Sequence, residues 1–191
     1  MPIRYFKKIK VKSVIKRIAM HSTDIKKVKV FLCVPASGKS YLAENNKQFI
    51  DIDREEEIYK YNLAKQISNL ELAKGQGMHG DIVNKDCQIV MQKRALDCIS
   101  QGKIILCSLR DYWIDFFVAN KIDYAIVQYP PMLKDEFAQR MRMRGNTEIF
   151  INKIIKICTD MYEIRENDKN AYIKIDLKSG EHLSDIVYRY F

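Results

Sequence analysis

Ser37-Gly38-Lys39-Ser40 follows directly on a short apolar run, Val30-Phe-Leu-Cys-Val34. Residues of these types in this order can handle phosphate. The glycine allows close backbone approach to an anion. The lysine ammonium can reach β- and γ-phosphates, and the serine hydroxyl can hold Mg²⁺. A second apolar run ends in Asp51-Ile52-Asp53. A carboxylate there can accept a proton from an acceptor hydroxyl or fix that hydroxyl by a hydrogen bond. Arg140, Arg142 and Arg144 lie close together, and guanidinium groups can neutralise charge on a transferring phosphoryl group.

These residues need particular elements beneath them. The run at 30–34 is too short for a helix and dense in strand formers. Ser40 to about Asn46 suits a short helix, whose N-terminus would point free N–H groups at an anion. A strand, a tight turn and a helix with Gly-Lys-Ser at the turn is the layout of a phosphate-binding loop. Two positions depart from the usual pattern: Cys33 and Ala36 stand where glycine is common. Phe49 to Asp53 is predicted as the second strand. Asp53 then ends it on the carboxyl edge, where ligands of open α/β sheets bind, and Asp51 points to the opposite face. Asp53 also suits the N-cap of a helix starting at Arg54. A helix C-terminus attracts arginine for dipole reasons as well, which gives the arginine cluster a second explanation.

The remaining pattern alternates strand and helix. Helix is expected over 54–74, with Glu55, Glu56 and Glu57 in its first turn. A break follows at Gly75, Gly77 and Gly80. Asp81 reads as an N-cap, and Val83, Cys87, Val90, Met91 and Cys98 as a buried stripe. Strands are expected at 103–108, 124–128 and 171–175. Helices are expected at 111–120, from 133 to about 142, and from about 147 to 162. Residues 165–170 form a polar link, and a closing amphipathic helix carries Leu183, Ile186, Val187 and Tyr190. Strands rich in Ile, Val and Leu on both faces imply a parallel sheet with helices on each side. The third strand ends in Cys107-Ser108 without an acid. Asp111 beyond it could reach Mg²⁺ through water or cap a helix, and Arg110 could bind an acceptor phosphate. His79 in the glycine break could touch an acceptor, and Trp113 is expected in the core.

With 191 residues, 47% of them hydrophobic and 30% charged, the chain suits one domain with a sizeable core. No apolar run is long enough to span a membrane. The five cysteines contain no CxxC pair and lie in apolar surroundings, as reduced core residues of a cytosolic protein do. The net charge of +9 is segregated. Residues 1–29 hold ten Lys and Arg against one acid, Asp24, so the rest of the chain is neutral. The division expected is a basic leader over 1–27 and a domain over 28–191. The leader interleaves basic and apolar residues. It can be a solvated arm, a nucleic-acid contact, a helix on an anionic membrane surface or a mitochondrial presequence. It lacks the uninterrupted apolar segment of a secretory signal.

The phosphate loop, Asp-Ile-Asp after strand two and the arginine-rich segment before the last strand resemble the P-loop kinase group. This group spans nucleoside and nucleotide kinases, shikimate- and gluconate-type kinases and polynucleotide kinases. Tyr129 to Arg140 and Arg144 to Ile151 also resemble small virus- and phage-encoded P-loop proteins. A Lys-, Ile- and Asn-rich chain is associated with a virus or an AT-rich genome, and the host cytoplasm is then the expected location. The resemblance covers about residues 28–191. It implies a three-layer α/β P-loop NTPase fold: a five-stranded parallel sheet of order 2-3-1-4-5 with helices on both faces. ATP or another NTP would bind with Mg²⁺. Pro35, Ala36, Ser37, Gly38, Lys39, Ser40 and Arg142 would bind the nucleotide. Lys39, Asp53, Arg140 and Arg144 would serve the chemistry, the arginines as a lid. Ser40, with Asp53 and Asp111 as further candidates, would serve the metal. The expected activity is phosphoryl transfer to a nucleoside, a nucleotide or a polynucleotide 5′ end. Two alternatives remain at this point. One is a nucleotide-binding protein with little turnover whose leader binds RNA or DNA. The other is a plain NTPase in a larger assembly.

Overall fold

A computed structural model describes residues 28–54, 59–60, 81–82 and 87–190. The chain forms β1 (Val30–Cys33), α1 (Lys39–Asn45), β2 (Phe49–Asp51), β3 (Tyr59–Lys60), β4 (Asp81–Ile82) and α2 (Cys87–Ser100). It continues with β5 (Ile104–Ser108), α3 (Asp111–Ala119), β6 (Ala125–Gln128) and α4 (Lys134–Met143). It ends with α5 (Glu148–Glu166), β7 (Ile173–Asp176) and α6 (Leu183–Ile186). Single 3₁₀ turns cover Ile52–Arg54, Pro131–Leu133 and Val187–Arg189.

The main sheet has the order β2-β5-β1-β6-β7, and every neighbouring pair is parallel. Counted within that sheet, the order is 2-3-1-4-5, as expected for the fold class. The central strands are apolar on both faces because helices pack around them. All four residues of β1 and of β6 are buried, as are Ile104 to Cys107 of β5. Trp113 is fully buried in α3 and stacks on Phe117 at 5.4 Å, so it is a core residue as expected. Cys33, Cys98 and Cys107 are buried free thiols, and Cys158 is half-buried.

Three expectations change. Residues 59–60 are a strand, not helix. They pair antiparallel with 81–82, so Asp81 is a strand residue, not an N-cap. Tyr and Ile at the paired positions favour such a ladder over local helix propensity. Strand β2 stops at Asp51, and Ile52–Arg54 winds into a 3₁₀ turn. Two-residue alternation therefore ends before Asp53. Finally, Arg165 is not in a polar link: α5 extends to Glu166 and buries it. The leader, Glu55 to Glu57, the Gly75–Gly80 break with His79, and Val83 lie outside the described residues. Among the described residues, no helix is long and apolar enough to cross a membrane.

Candidate active site

Strand β1 delivers the chain to the carboxyl edge of the sheet, where backbone hydrogen bonds fix it. Val34 N donates to Val127 O at 3.0 Å, and Leu109 N donates to Cys33 O at 2.9 Å. The chain then turns through two left-handed residues, Ala36 at φ 58° and Gly38 at φ 98°. Leu42 N bonds back to Gly38 O at 3.0 Å as α1 begins. A Cβ on Gly38 would meet His182 at 3.5 Å, and the left-handed backbone would strain it regardless. The loop is clamped from the far end of the chain, since Leu183 N donates to Ser37 O at 2.8 Å. Pro35 and Gly38 are half-buried, while Ala36 and Ser37 are buried. Cys33 belongs to the core strand, not to the turn. Burial pushes its thiol up to about 12, against the opposing pull of Lys39.

Five polar side chains meet above β1, β2 and β5. Lys39 Nζ donates to Asp53 Oδ2 at 2.9 Å. Ser40 Oγ donates to Asp51 Oδ2 at 2.8 Å. Ser108 Oγ, at the end of β5, donates to Asp53 Oδ1 at 3.2 Å. Asp53 N donates to Asp51 Oδ1 at 3.3 Å, which ties the two acids to one turn. Burial opposes the charge on Lys39, but Asp53 and Asp51 outweigh it and hold the ammonium protonated. Asp51 is the last residue of β2 and sits beside Ser40 instead of facing away, and the 3₁₀ turn that follows carries Asp53 to Lys39.

The arginines separate. Arg140 is the hub of a local network. One terminal nitrogen (Nη1) donates to Tyr129 Oη at 2.5 Å and Glu181 O at 2.8 Å, and lies 3.3 Å from His182 Nδ1. The other (Nη2) pairs with Glu136 at 2.5 Å. Glu136 also accepts from Ser179 Oγ at 2.7 Å and Gly180 N at 2.9 Å, and these bonds pull its carboxyl down to about 2. Arg142 forms a two-pronged pair with Glu148, and both are exposed. Arg144 is exposed at the end of α4. Arg110 and Asp111 lie exposed at the start of α3.

The loop and its neighbours fit a triphosphate with Mg²⁺. The Ser37 hydroxyl is buried without a hydrogen-bond partner, and such groups usually indicate a missing partner. Mg²⁺ is typically held by one or two carboxylates together with substrate phosphates, and Ser40 and Asp51 offer a hydroxyl and a carboxylate in contact. Sequence reasoning underrated Asp51 because it set that acid on the face opposite Asp53, although residues two apart along a strand share a face. The only available hint was the polar Asp-Ile-Asp tail of an otherwise apolar run.

Fold and site together define an open, parallel α/β protein with a Gly-Lys-Ser turn and two acids at the carboxyl edge of its sheet. Among solved structures, shikimate kinase from Acinetobacter baumannii in complex with shikimate matches with a TM-score of 0.41 and 14% identity, over 86% of this chain and 90% of that one. No family model matches the chain. No curated protein matches it.

Proposed function

We propose that the protein is an ATP- and Mg²⁺-dependent phosphotransferase that acts on a hydroxyl acceptor. The observation that carries this reading is the paired contact of Lys39 with Asp53 and of Ser40 with Asp51 at the turn. Lys39 and the Gly38 backbone would hold the β- and γ-phosphates. Ser40 and Asp51 would hold Mg²⁺, which supplies charge neutralisation between the phosphates. Asp53 would orient the acceptor hydroxyl and take its proton, with Ser108 fixing the carboxylate. Arg142, on leaving its pair with Glu148, and Arg144 would supply the positive charge of a lid. Arg140 acts from behind, through Tyr129 and the 178–182 segment. Catalysis of this kind is mainly positioning and electrostatics. The acceptors considered are nucleosides, nucleotides and polynucleotide 5′ ends. The test is a screen of acceptors with labelled ATP, with Lys39→Ala as control. Label should move to an acceptor only with the unsubstituted protein, and equal background transfer by both would end this reading.

Segregation of the charge excess into residues 1–29 favours a second reading. The leader would bind RNA or another polyanion, whether or not the domain turns over nucleotide. Binding should then weaken steeply with salt and disappear on deletion of residues 1–27. Binding unchanged by the deletion would exclude it.

A further inference from the structure

The five strands of the main sheet are parallel, so all are entered from one edge, opposite the edge that carries the Gly-Lys-Ser turn. Each is entered past a lysine. In spatial order these are Lys47 before β2, Lys103 before β5, Lys29 before β1, Lys121 before β6 and Lys169 before β7. With strands about 4.8 Å apart, the row crosses about 20 Å. Hydrogen bonds fix its centre: Ile105 N donates to Lys29 O at 2.8 Å, and Lys103 Nζ donates to Lys47 O at 2.9 Å. Lys29, Lys47, Lys121 and Lys169 are exposed, and none enters an ion pair among the described residues. The acids in the same entry segments are Asp123 and Asp168. The Asp168 carboxylate already accepts from Tyr124 Oη at 2.7 Å and Asn170 N at 2.8 Å. Exposed tyrosines flank the row. Tyr188, 54% exposed, stands at the β2 end, where its hydroxyl accepts from Asn46 Nδ2 at 3.3 Å and its ring meets Phe49 edge-to-face at 6.1 Å. Tyr172, 43% exposed, stands at the β7 end, directly before Ile173. The basic leader joins the domain at Val28, beside the central lysine of the row.

We propose that this edge binds a single-stranded nucleic acid, with phosphates on the lysine row and bases stacked on Tyr172 and Tyr188. Spaced lysines neutralise successive phosphates, and exposed ring faces take bases whatever their sequence. A membrane surface would call for inserted apolar side chains, but Ile122 of these entry segments packs against the core. The bound strand lies at the far edge from Lys39 and Asp53, so it is not the phosphoryl acceptor. The surface deepens the reading of the leader as a polyanion contact. It belongs to the folded domain, however, and stands without either that reading or the kinase reading.

The test is fluorescence anisotropy of a labelled 20-nucleotide oligo(dT) with the full chain, over a series of salt concentrations. One variant changes Lys29, Lys47, Lys121 and Lys169 to Gln; all four are exposed, so its melting temperature should hold. A second changes Lys7, Lys8, Lys10 and Lys12 of the leader to Gln. A third is Tyr172→Leu. The edge variant should bind at least about tenfold more weakly, and its salt slope should fall by about 0.7 for each lysine that meets a phosphate. Tyr172→Leu should weaken binding about fivefold or more. An edge variant that binds like the unsubstituted protein, while the leader variant loses affinity, would overturn the surface and leave the leader reading standing. Loss in the edge variant alone would support the surface and count against the leader. Equal affinity for a 20-base-pair duplex, with Tyr172→Leu silent, would overturn the single-stranded assignment. If the unsubstituted protein does not bind the oligonucleotide, both fail, and retention on phosphatidylserine vesicles would then assign the edge to a membrane.

Discussion

The Tyr129 hydroxyl donates a hydrogen bond to the carbonyl oxygen of Ala36, 3.2 Å away. Ala36 holds a left-handed backbone at φ 58°, a conformation that costs an L-residue roughly 1–2 kcal/mol. Arg140 sits on the same hydroxyl and over the ring face, 5.2 Å from its centre. The turn at Ala36 is thus braced by Tyr129, just after β6, and through it by Arg140 of α4. Tyr129→Phe should destabilise the protein by about 1 kcal/mol, the typical net worth of such a bond. Ala36→Gly should be neutral to mildly stabilising, because relief of strain offsets the roughly 0.5–1 kcal/mol entropy cost of glycine. In the double variant Ala36→Gly should recover part of the Tyr129→Phe loss. Denaturant melts of the four proteins measure this, and strict additivity would count against the linkage.

The two acids should separate by function. Asp53→Asn removes the proton acceptor and should lower kcat by about 10²–10⁴-fold at saturating Mg²⁺. Asp51→Asn should instead raise the Mg²⁺ concentration needed for half-maximal activity. A steady-state Mg²⁺ titration of both variants checks this. Identical defects that added metal restores equally would contradict the division of roles.

Glu136 gives a pH signature. Its folded-state carboxyl lies at about 2, below the ordinary 4.5, because Ser179 and Gly180 hydrogen-bond its charged form. The unfolded chain therefore takes up this proton first as pH falls. The contribution is complete above the ordinary value and is lost as pH drops through about 2. About a quarter of the side chain is exposed, so solvent screening limits the size of the effect. Glu136→Gln should be less stable than the unsubstituted protein at pH 6, and the gap should narrow steadily towards pH 3. Chemical denaturation across that range measures it, and a gap that widens in acid would contradict the assignment.

Much of this was legible in the chain. Five apolar runs separated by amphipathic stretches implied the parallel sheet, and Gly38-Lys39-Ser40 marked the turn that follows its first strand. What escaped depends on tertiary contacts or on a single turn. The strand ends two residues earlier than expected, at Asp51 beside Ser40, and the 3₁₀ turn after it carries Asp53 to Lys39. The ladder of Tyr59 with Ile82 joins residues far apart in sequence, which local periodicity cannot reveal. Arg140 looked like a lid residue from its cluster. Its partners Tyr129, Glu136 and Glu181 come from separate segments that only folding brings together. Arg165 read as a linker charge because nothing local distinguishes a buried arginine from a solvated one.

The central claim is that the turn around Gly38 and Lys39 binds the phosphates of a nucleotide. Calorimetric titration of ATP with Mg²⁺ into the unsubstituted protein and into Lys39→Ala tests it most directly. The account predicts saturable 1:1 binding that weakens about 10–100-fold in the variant, the range for loss of a charged hydrogen bond. Equal affinity in the two proteins, or no binding in either, would contradict it.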